Sequence, residues 1–124
     1  MADARRRVLL VEDDQQIREF LTDALGDEGF AVRVATDGRS GLEALRTFDP
    51  HLILLDLRMP DMDGWSFRER QLADGLASHV PLLVLTAVHA LPERMERLGA
   101  AAVIQKPFDL EDLLSAAKRY CLSD

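Results

Sequence analysis

Residues 8–14 read Val8-Leu-Leu-Val-Glu-Asp-Asp14, four apolar residues followed directly by three acids. An apolar run without a polar interruption predicts a short strand that is buried on both faces, which is typical of a parallel sheet. The stretch Leu52-Ile-Leu-Leu-Asp56 repeats the pattern, with one aspartate after the apolar run. Because the carboxyl ends of parallel strands share one edge of a sheet, we expect these acids at the same edge.

Strand-like and helix-like stretches alternate along the rest of the chain. Further strands are predicted at 31–35, 82–85 and 101–105. Amphipathic helices are predicted at about 17–28, around 42–45, at 65–77, at 92–98 and from Asp109 onward. Five such βα units predict an α/β fold, a flavodoxin-like doubly wound sheet of five parallel strands in the order 2-1-3-4-5 with five helices. Arg33 indicates that the second strand lies at an edge.

Composition limits the class of protein. The 124 residues are 48% hydrophobic and 30% charged, so we expect one domain over 1–124 with a core at about 7–122. Acids outnumber bases by 22 to 15, which argues against direct nucleic-acid or membrane partners. The apolar runs are far shorter than the roughly 18 residues of a membrane span. The lone Cys121 excludes an internal disulfide and favours a reducing, cytoplasmic location.

Polar groups follow four of the five predicted strands, and in the 2-1-3-4-5 order they meet in one cleft. These groups are Glu12-Asp13-Asp14, Asp56, Thr86 and Lys106. Two like charges about 4 Å apart cost about 4 kcal/mol at an effective dielectric constant of 20, and a divalent cation removes that cost. Oxygen ligands without histidine or cysteine favour Mg²⁺ or Mn²⁺ over zinc. With a lysine for a phosphate oxygen and no serine or cysteine nucleophile, the set indicates phosphoryl transfer to an aspartate.

Each of these residues also has a simpler explanation when it is taken alone. Asp14 can be the N-cap of the first helix, Thr86 a strand-end hydroxyl and Lys106 a solvated lysine. Their joint placement at strand ends is what favours a site.

As a set, these motifs resemble the receiver domain of two-component response regulators, of the chemotaxis type. The resemblance is carried by 8–14, by Asp56-Leu-Arg-Met-Pro-Asp-Met-Asp-Gly64, by Leu85-Thr-Ala87 and by Lys106-Pro-Phe108. It implies that Asp56 is the phosphoacceptor, that Thr86 hydrogen-bonds a phosphoryl oxygen and that Lys106, followed by a cis proline, pairs with another. It also implies a site for Mg²⁺ or Mn²⁺ formed by Asp13 directly, by Glu12 through water, by Asp56 and by the main-chain carbonyl of Arg58.

The function that the resemblance implies is a phosphorelay switch. The donor is a phosphohistidine on a sensor histidine kinase or a histidine phosphotransfer protein. The domain catalyses its own phosphorylation and dephosphorylation, and it switches protein–protein interactions instead of acting as a conventional enzyme. The sequence does not identify the downstream effector.

The chain departs from the family pattern at three places. Val103 stands where receivers often carry an aromatic switch residue, and a plain strand residue is the favoured explanation of this position. The interval between Thr86 and Lys106 is short for the family, so we expect a short fourth helix or preceding loop, and an absent or altered dimer through the fourth and fifth helices. Arg58 and Val88 flank the path of hydrolytic water, and we expect them to prolong the life of the phosphorylated form.

Three other functions share part of this pattern. A haloacid-dehalogenase-like, Mg²⁺-dependent phosphatase usually has a second aspartate two residues after its nucleophile, and Arg58 stands there instead. A flavin-binding module needs a phosphate loop after the first strand, where the acids of this chain would repel a phosphate. A degenerate receiver that serves only for protein interaction does not need the intact set of site residues.

Overall fold

Five strands and five helices alternate along the chain, of which a computed structural model describes residues 5–87 and 92–121. The strands are β1 (Arg7–Val11), β2 (Ala31–Ala35), β3 (Leu52–Asp56), β4 (Leu82–Thr86) and β5 (Ala102–Gln105). The helices are α1 (Gln15–Asp27), α2 (Gly38–Thr47), α3 (Gly64–Ala73), α4 (Pro92–Glu96) and α5 (Leu110–Cys121). Within these ranges no helix is long and apolar enough to cross a membrane.

The strands form one parallel sheet in the order β2-β1-β3-β4-β5, which confirms the predicted topology and places Arg33 on an edge strand. The register aligns the carboxyl ends of the central strands. Val11 pairs with Leu55, so Glu12, which follows β1, lies level with Asp56, which is the last residue of β3. Asp56 in turn pairs with Leu85, one residue before Thr86. The residues at the ends of β1, β3 and β4 therefore reach one edge of the sheet.

The two faces of the sheet carry separate cores because alternate strand residues point in opposite directions. On one face the central strands pack against Phe67 of α3, through residues that include Leu9, Ile53 and Val84. On the other face they pack against α1 and α5, through residues that include Leu10, Leu54 and Leu85. Helices thus cover both faces, and the central strands are fully buried, as their unbroken apolar runs predict.

Two helix ends differ from the sequence prediction. The predicted extension of α3 to Ala77 is wrong, because the helix ends at Ala73 and Gly75 adopts a φ of 67°. Leu76 then donates its N–H to Gln71 O over 2.9 Å, which satisfies a carbonyl of the last turn. The predicted extension of α4 to Leu98 is also wrong, because the helix ends at Glu96; its five residues agree with the expected short fourth helix.

Aspartates cap three of the helices that begin near the carboxyl edge of the sheet. Asp14, Asp37 and Asp63 each accept a hydrogen bond from the N–H three residues later, over 2.8 to 3.0 Å. Such caps stabilise a helix by about 1 kcal/mol each. The simpler explanation of Asp14 is therefore correct, and part of the acidic excess has a structural role.

Candidate functional site

Three carboxylates meet where β1 and β3 end. One oxygen from each of Glu12, Asp13 and Asp56 lies within 4.8 Å of the other two. Glu12 is fully buried and Asp56 is 4% exposed, whereas Asp13 faces solvent. The structure thus brings together acids that the sequence predicts at one strand edge, with an open side at Asp13.

Lys106 bridges the two buried acids. Its Nζ donates to Glu12 Oε1 over 2.9 Å and to Asp56 Oδ2 over 3.3 Å, and its side chain is only 17% exposed. The backbone N–H of Lys106 donates to Thr86 O over 2.8 Å, which fixes the lysine beside the end of β4. The Lys106–Pro107 peptide is cis, as the resemblance implies.

Burial and the close approach of charged groups shift the pKa values of two groups in this cluster. Burial, together with the hydrogen bond and repulsion from Asp56, raises the pKa of Glu12 to about 7 against the opposing effect of Lys106. Burial alone would lower the pKa of Lys106, but its contacts with Glu12 and Asp56 raise it above the ordinary value. The cluster holds three carboxyl groups and one ammonium group. A hard divalent cation with oxygen ligands fits both the donor set and the remaining charge.

The loop after Asp56 folds back onto the strand end. Arg58 donates its N–H to Asp56 Oδ1 over 3.1 Å, and Gly64 donates its N–H to Leu57 O over 2.9 Å. A Cβ on Gly64 would lie 2.6 Å from Leu57 Cα and 2.7 Å from Asp56 O, so only glycine fits. The Asp-Gly part of the motif is thus explained by a close approach of two backbone segments.

Arg18 is a site residue that the sequence pattern did not identify. From α1, its Nη1 donates to Asp13 O over 2.7 Å and to Glu12 O over 3.3 Å. These bonds hold the backbone of the acidic segment from outside the cleft. A signal was present in the sequence, since an arginine near the start of a helix opposes the helix dipole and needs a local partner.

The structure also locates other residues of the sequence motifs and of the departures from the family pattern. Thr86 is fully buried at the end of β4, at the edge that carries the acids. Val103 lies in β5 and is 40% exposed. Val88 lies outside the described residues. Trp65, which follows Gly64, stacks under Arg94, whose guanidinium carbon lies 4.2 Å from the ring centroid.

A doubly wound parallel sheet with buried acids and a lysine at its carboxyl edge defines a class of phosphate-handling α/β proteins. Residues 8–118 match the family described as response regulator receiver domain. The chain belongs to this family.

Curated relatives agree with the family. The response regulator MprA of Mycobacterium tuberculosis H37Rv is 40% identical over 111 residues, covering 88% of this chain and 47% of the relative. The transcriptional regulatory protein HprR of Escherichia coli K12 is 33% identical over 114 residues, covering 90% of this chain and 50% of the relative. The chain thus spans about half the length of these curated relatives.

Solved structures share the fold over nearly the whole chain. The chemotaxis protein CheY4 of Vibrio cholerae has a TM-score of 0.85 at 32% identity, covering 94% of this chain and 99% of that one. The receiver domain of the sensor histidine kinase PA1611 from Pseudomonas aeruginosa PAO1 has a TM-score of 0.86 at 27% identity, covering 97% and 100%. In that protein a magnesium ion is coordinated in the active site cleft.

Proposed function

We propose that this receiver domain accepts a phosphoryl group on Asp56 in a Mg²⁺-dependent reaction. The observation that carries the proposal is the position of Lys106 Nζ, 2.9 Å from Glu12 Oε1 and 3.3 Å from Asp56 Oδ2. A lysine held against a buried aspartate beside two more acids supports a phosphoryl-transfer site. The donor is a phosphohistidine on a sensor histidine kinase or a histidine phosphotransfer protein, and a cytoplasmic setting suits both partners.

The metal residues that we propose are Glu12, Asp13, Asp56 and the main-chain carbonyl of Arg58. Their oxygen donors suit Mg²⁺, and Mn²⁺ has the same ligand preference. When bound, Mg²⁺ supplies positive charge beside the oxygens of the transferred group. Arg18 donates to the backbone carbonyls of Glu12 and Asp13, which supports the main chain that carries these two acids.

The chain's own groups position the reaction. An oxygen of Asp56 attacks phosphorus, the new P–O bond forms, and the P–N bond to the imidazole breaks with its electron pair staying on nitrogen. Lys106 exchanges its contact with Asp56 for one with a phosphoryl oxygen, and the Thr86 hydroxyl donates to another. The N–H of Arg58 holds Asp56 Oδ1, which orients the nucleophile.

The experiment is phosphorylation by acetyl phosphate with Mg²⁺, followed by measurement of the intact mass. We expect wild type to gain one phosphoryl group and Asp56→Asn to gain none. Asp23→Asn is the matched control, since Asp23 is an exposed aspartate on α1. A gain that survives Asp56→Asn would contradict the assignment of the acceptor.

The same experiment separates the alternatives. A degenerate receiver would gain no phosphoryl group in any variant and would not bind beryllofluoride. A phosphatase with an Asp56 nucleophile would instead release phosphate continuously from simple phosphate esters. Arg58 in place of the second aspartate argues against this second possibility.

A further inference from the structure

A groove of about 460 Å³ lies between α3 and α4. It does not include the acidic cluster, which is formed by Glu12, Asp13 and Asp56. We call this cavity the α3–α4 groove, and its lining includes Trp65, Arg68, Leu72, Arg94, Arg97 and Leu98. Its volume falls within the range of about 300–1,000 Å³ typical of ligand sites. Nothing in the proposed phosphoryl transfer uses these residues.

The wall of the groove contains a buried cation that has no counter-charge among the residues that the structure describes. Arg68 is 6% exposed, and its guanidinium donates to neutral oxygens, Leu98 O over 2.7 Å and Gln71 Oε1 over 2.9 Å. Among residues 5–87 and 92–121, no carboxylate forms an ion pair with it. Burial lowers the pKa of Arg68 accordingly. Such a cation is stabilised by any anion that reaches the groove.

Two exposed arginines add to this positive charge. Arg94 stacks over Trp65, and Arg97 follows directly after α4. Neither has an ion-pair partner in the part of the chain that the structure describes. Among the described residues that line the groove Glu69 is the only acid, so three guanidinium groups accompany one carboxylate there. The groove thus carries net positive charge, although the net charge of the whole protein is −7.

Apolar surface lies beside these cations. Leu72 is 42% exposed in α3, whereas Leu98 lines the groove but is only 2% exposed. The guanidinium of Arg94 covers one face of the Trp65 ring at 4.2 Å, so that face is not available to a flat nucleobase. An aliphatic side chain fits against the exposed Leu72, and carboxylates match the planar fork of the arginines.

We propose that the α3–α4 groove binds a peptide segment of a partner protein in which carboxylates alternate with aliphatic side chains. The carboxylates pair with Arg94 and Arg97, and an aliphatic side chain packs on Leu72. Because the groove does not include the acidic cluster, binding does not require Asp56. Screening by salt weakens it, since the charges lie near the surface.

The test uses an array of heptapeptides with every arrangement of glutamate and leucine, and the same array with glutamine for glutamate. Trp65 is the single tryptophan, so its fluorescence reports the groove directly. We expect a subset of the glutamate peptides to bind and to change this fluorescence. Their glutamine counterparts should bind about tenfold more weakly or worse, as expected for lost charge-assisted pairs.

Charge reversal then localises the site. The double variant Arg94→Glu, Arg97→Glu should lose about tenfold or more in affinity. The matched control Arg39→Glu, Arg46→Glu changes two exposed arginines of α2 and should leave affinity nearly unchanged. Circular dichroism checks that each variant is folded, and Asp56→Asn should bind as wild type does.

Four results would overturn the proposal. These are no binding anywhere on the glutamate array, equal binding of the glutamine array, equal loss in both double variants, and binding that leaves the Trp65 fluorescence unchanged. Binding of inorganic phosphate or adenosine monophosphate without any peptide would assign the groove to small anions and would also overturn it.

Discussion

Lys106 Nζ and Glu12 Oε1 lie 2.9 Å apart, although the two residues are 94 positions apart in the sequence. Glu12 follows the first strand and Lys106 follows the last, so this ion pair forms only when the whole sheet is assembled in its order. The pair also holds Lys106 against Asp56. A contact between the residues that follow the first and the last strand thus sets the geometry of the proposed phosphoacceptor.

Removing the lysine charge should destabilise the metal-free protein. In Lys106→Met, two buried carboxylates lose their shared cation, and breaking a buried pair costs roughly 3–5 kcal/mol. Urea denaturation of the metal-free protein measures this, and added Mg²⁺ should restore part of the loss. Lys118→Met is the control, because the Lys118–Glu28 pair is exposed and should contribute about 0–1 kcal/mol. Equal losses in the two variants would contradict the shared-cation role of Lys106.

The contribution of Glu12 to the stability of the metal-free protein should fall as pH rises from 4.5 to about 7. The pKa of Glu12 is raised from 4.5 to about 7, so between these values the folded state binds a proton that the unfolded chain has lost. The stabilisation is complete below the unfolded pKa and disappears as pH passes the folded one, by up to about 3 kcal/mol.

Glu12→Gln isolates this pH effect. The free energy of unfolding of wild type minus that of the variant, measured in urea with a chelator present, should decrease across the window. A difference that stays constant or grows with pH would show that burial does not raise the pKa of Glu12.

Arg18→Met should weaken Mg²⁺ binding without removing any proposed ligand. The arginine holds the carbonyls of Asp13 and Glu12, and loss of such supporting contacts typically costs about 10- to 100-fold in metal affinity. Calorimetric titration of Mg²⁺ measures the effect directly. Arg46→Met, on exposed α2 surface, should titrate as wild type does, and an unchanged affinity in Arg18→Met would refute the positioning role.

Gly64→Ala should destabilise the fold at the loop that follows Asp56. The new methyl group would meet the backbone of Leu57 and Asp56 at 2.6 and 2.7 Å, where neither segment has a flexible end to move. Gly26→Ala is the opposite case, because nothing lies within 4 Å of that position in α1 and alanine favours a helix by about 1 kcal/mol. Thermal unfolding should therefore shift down for the first variant and up for the second. A Gly64→Ala protein that melts at or above the wild-type temperature would disprove the close approach.

The topology was predictable because its signals are local. Unbroken apolar runs such as 52–55 predict buried parallel strands, and the amphipathic stretches between them predict helices on both faces. The acids and the lysine were predictable because strand ends converge whenever the strand order is right. The charge of Arg33 in the middle of an apolar run likewise predicted that β2 is an edge strand.

Tertiary contacts account for what the sequence did not reveal. The end of α3 depends on Gly75 and on the bond from Leu76 to Gln71, which override a helix-like pattern up to Ala77. The hydrogen bonds from Arg18 to Asp13 O and from Arg68 to Leu98 O depend on the conformation of two long side chains. The periodicity of apolar residues does not predict that conformation. Long arginine side chains in particular are interpreted as solvated until their partners are known.

The central claim, that Asp56 is the phosphoacceptor, is tested most directly by locating the phosphoryl group chemically. Wild-type protein is phosphorylated with Mg²⁺ present, and borohydride then reduces the acyl phosphate to the alcohol, which turns an aspartate into homoserine. Peptide mass spectrometry should find homoserine at position 56 and at no other aspartate. Homoserine at Asp13, or no conversion in protein that has gained a phosphoryl group, would contradict the assignment of Asp56.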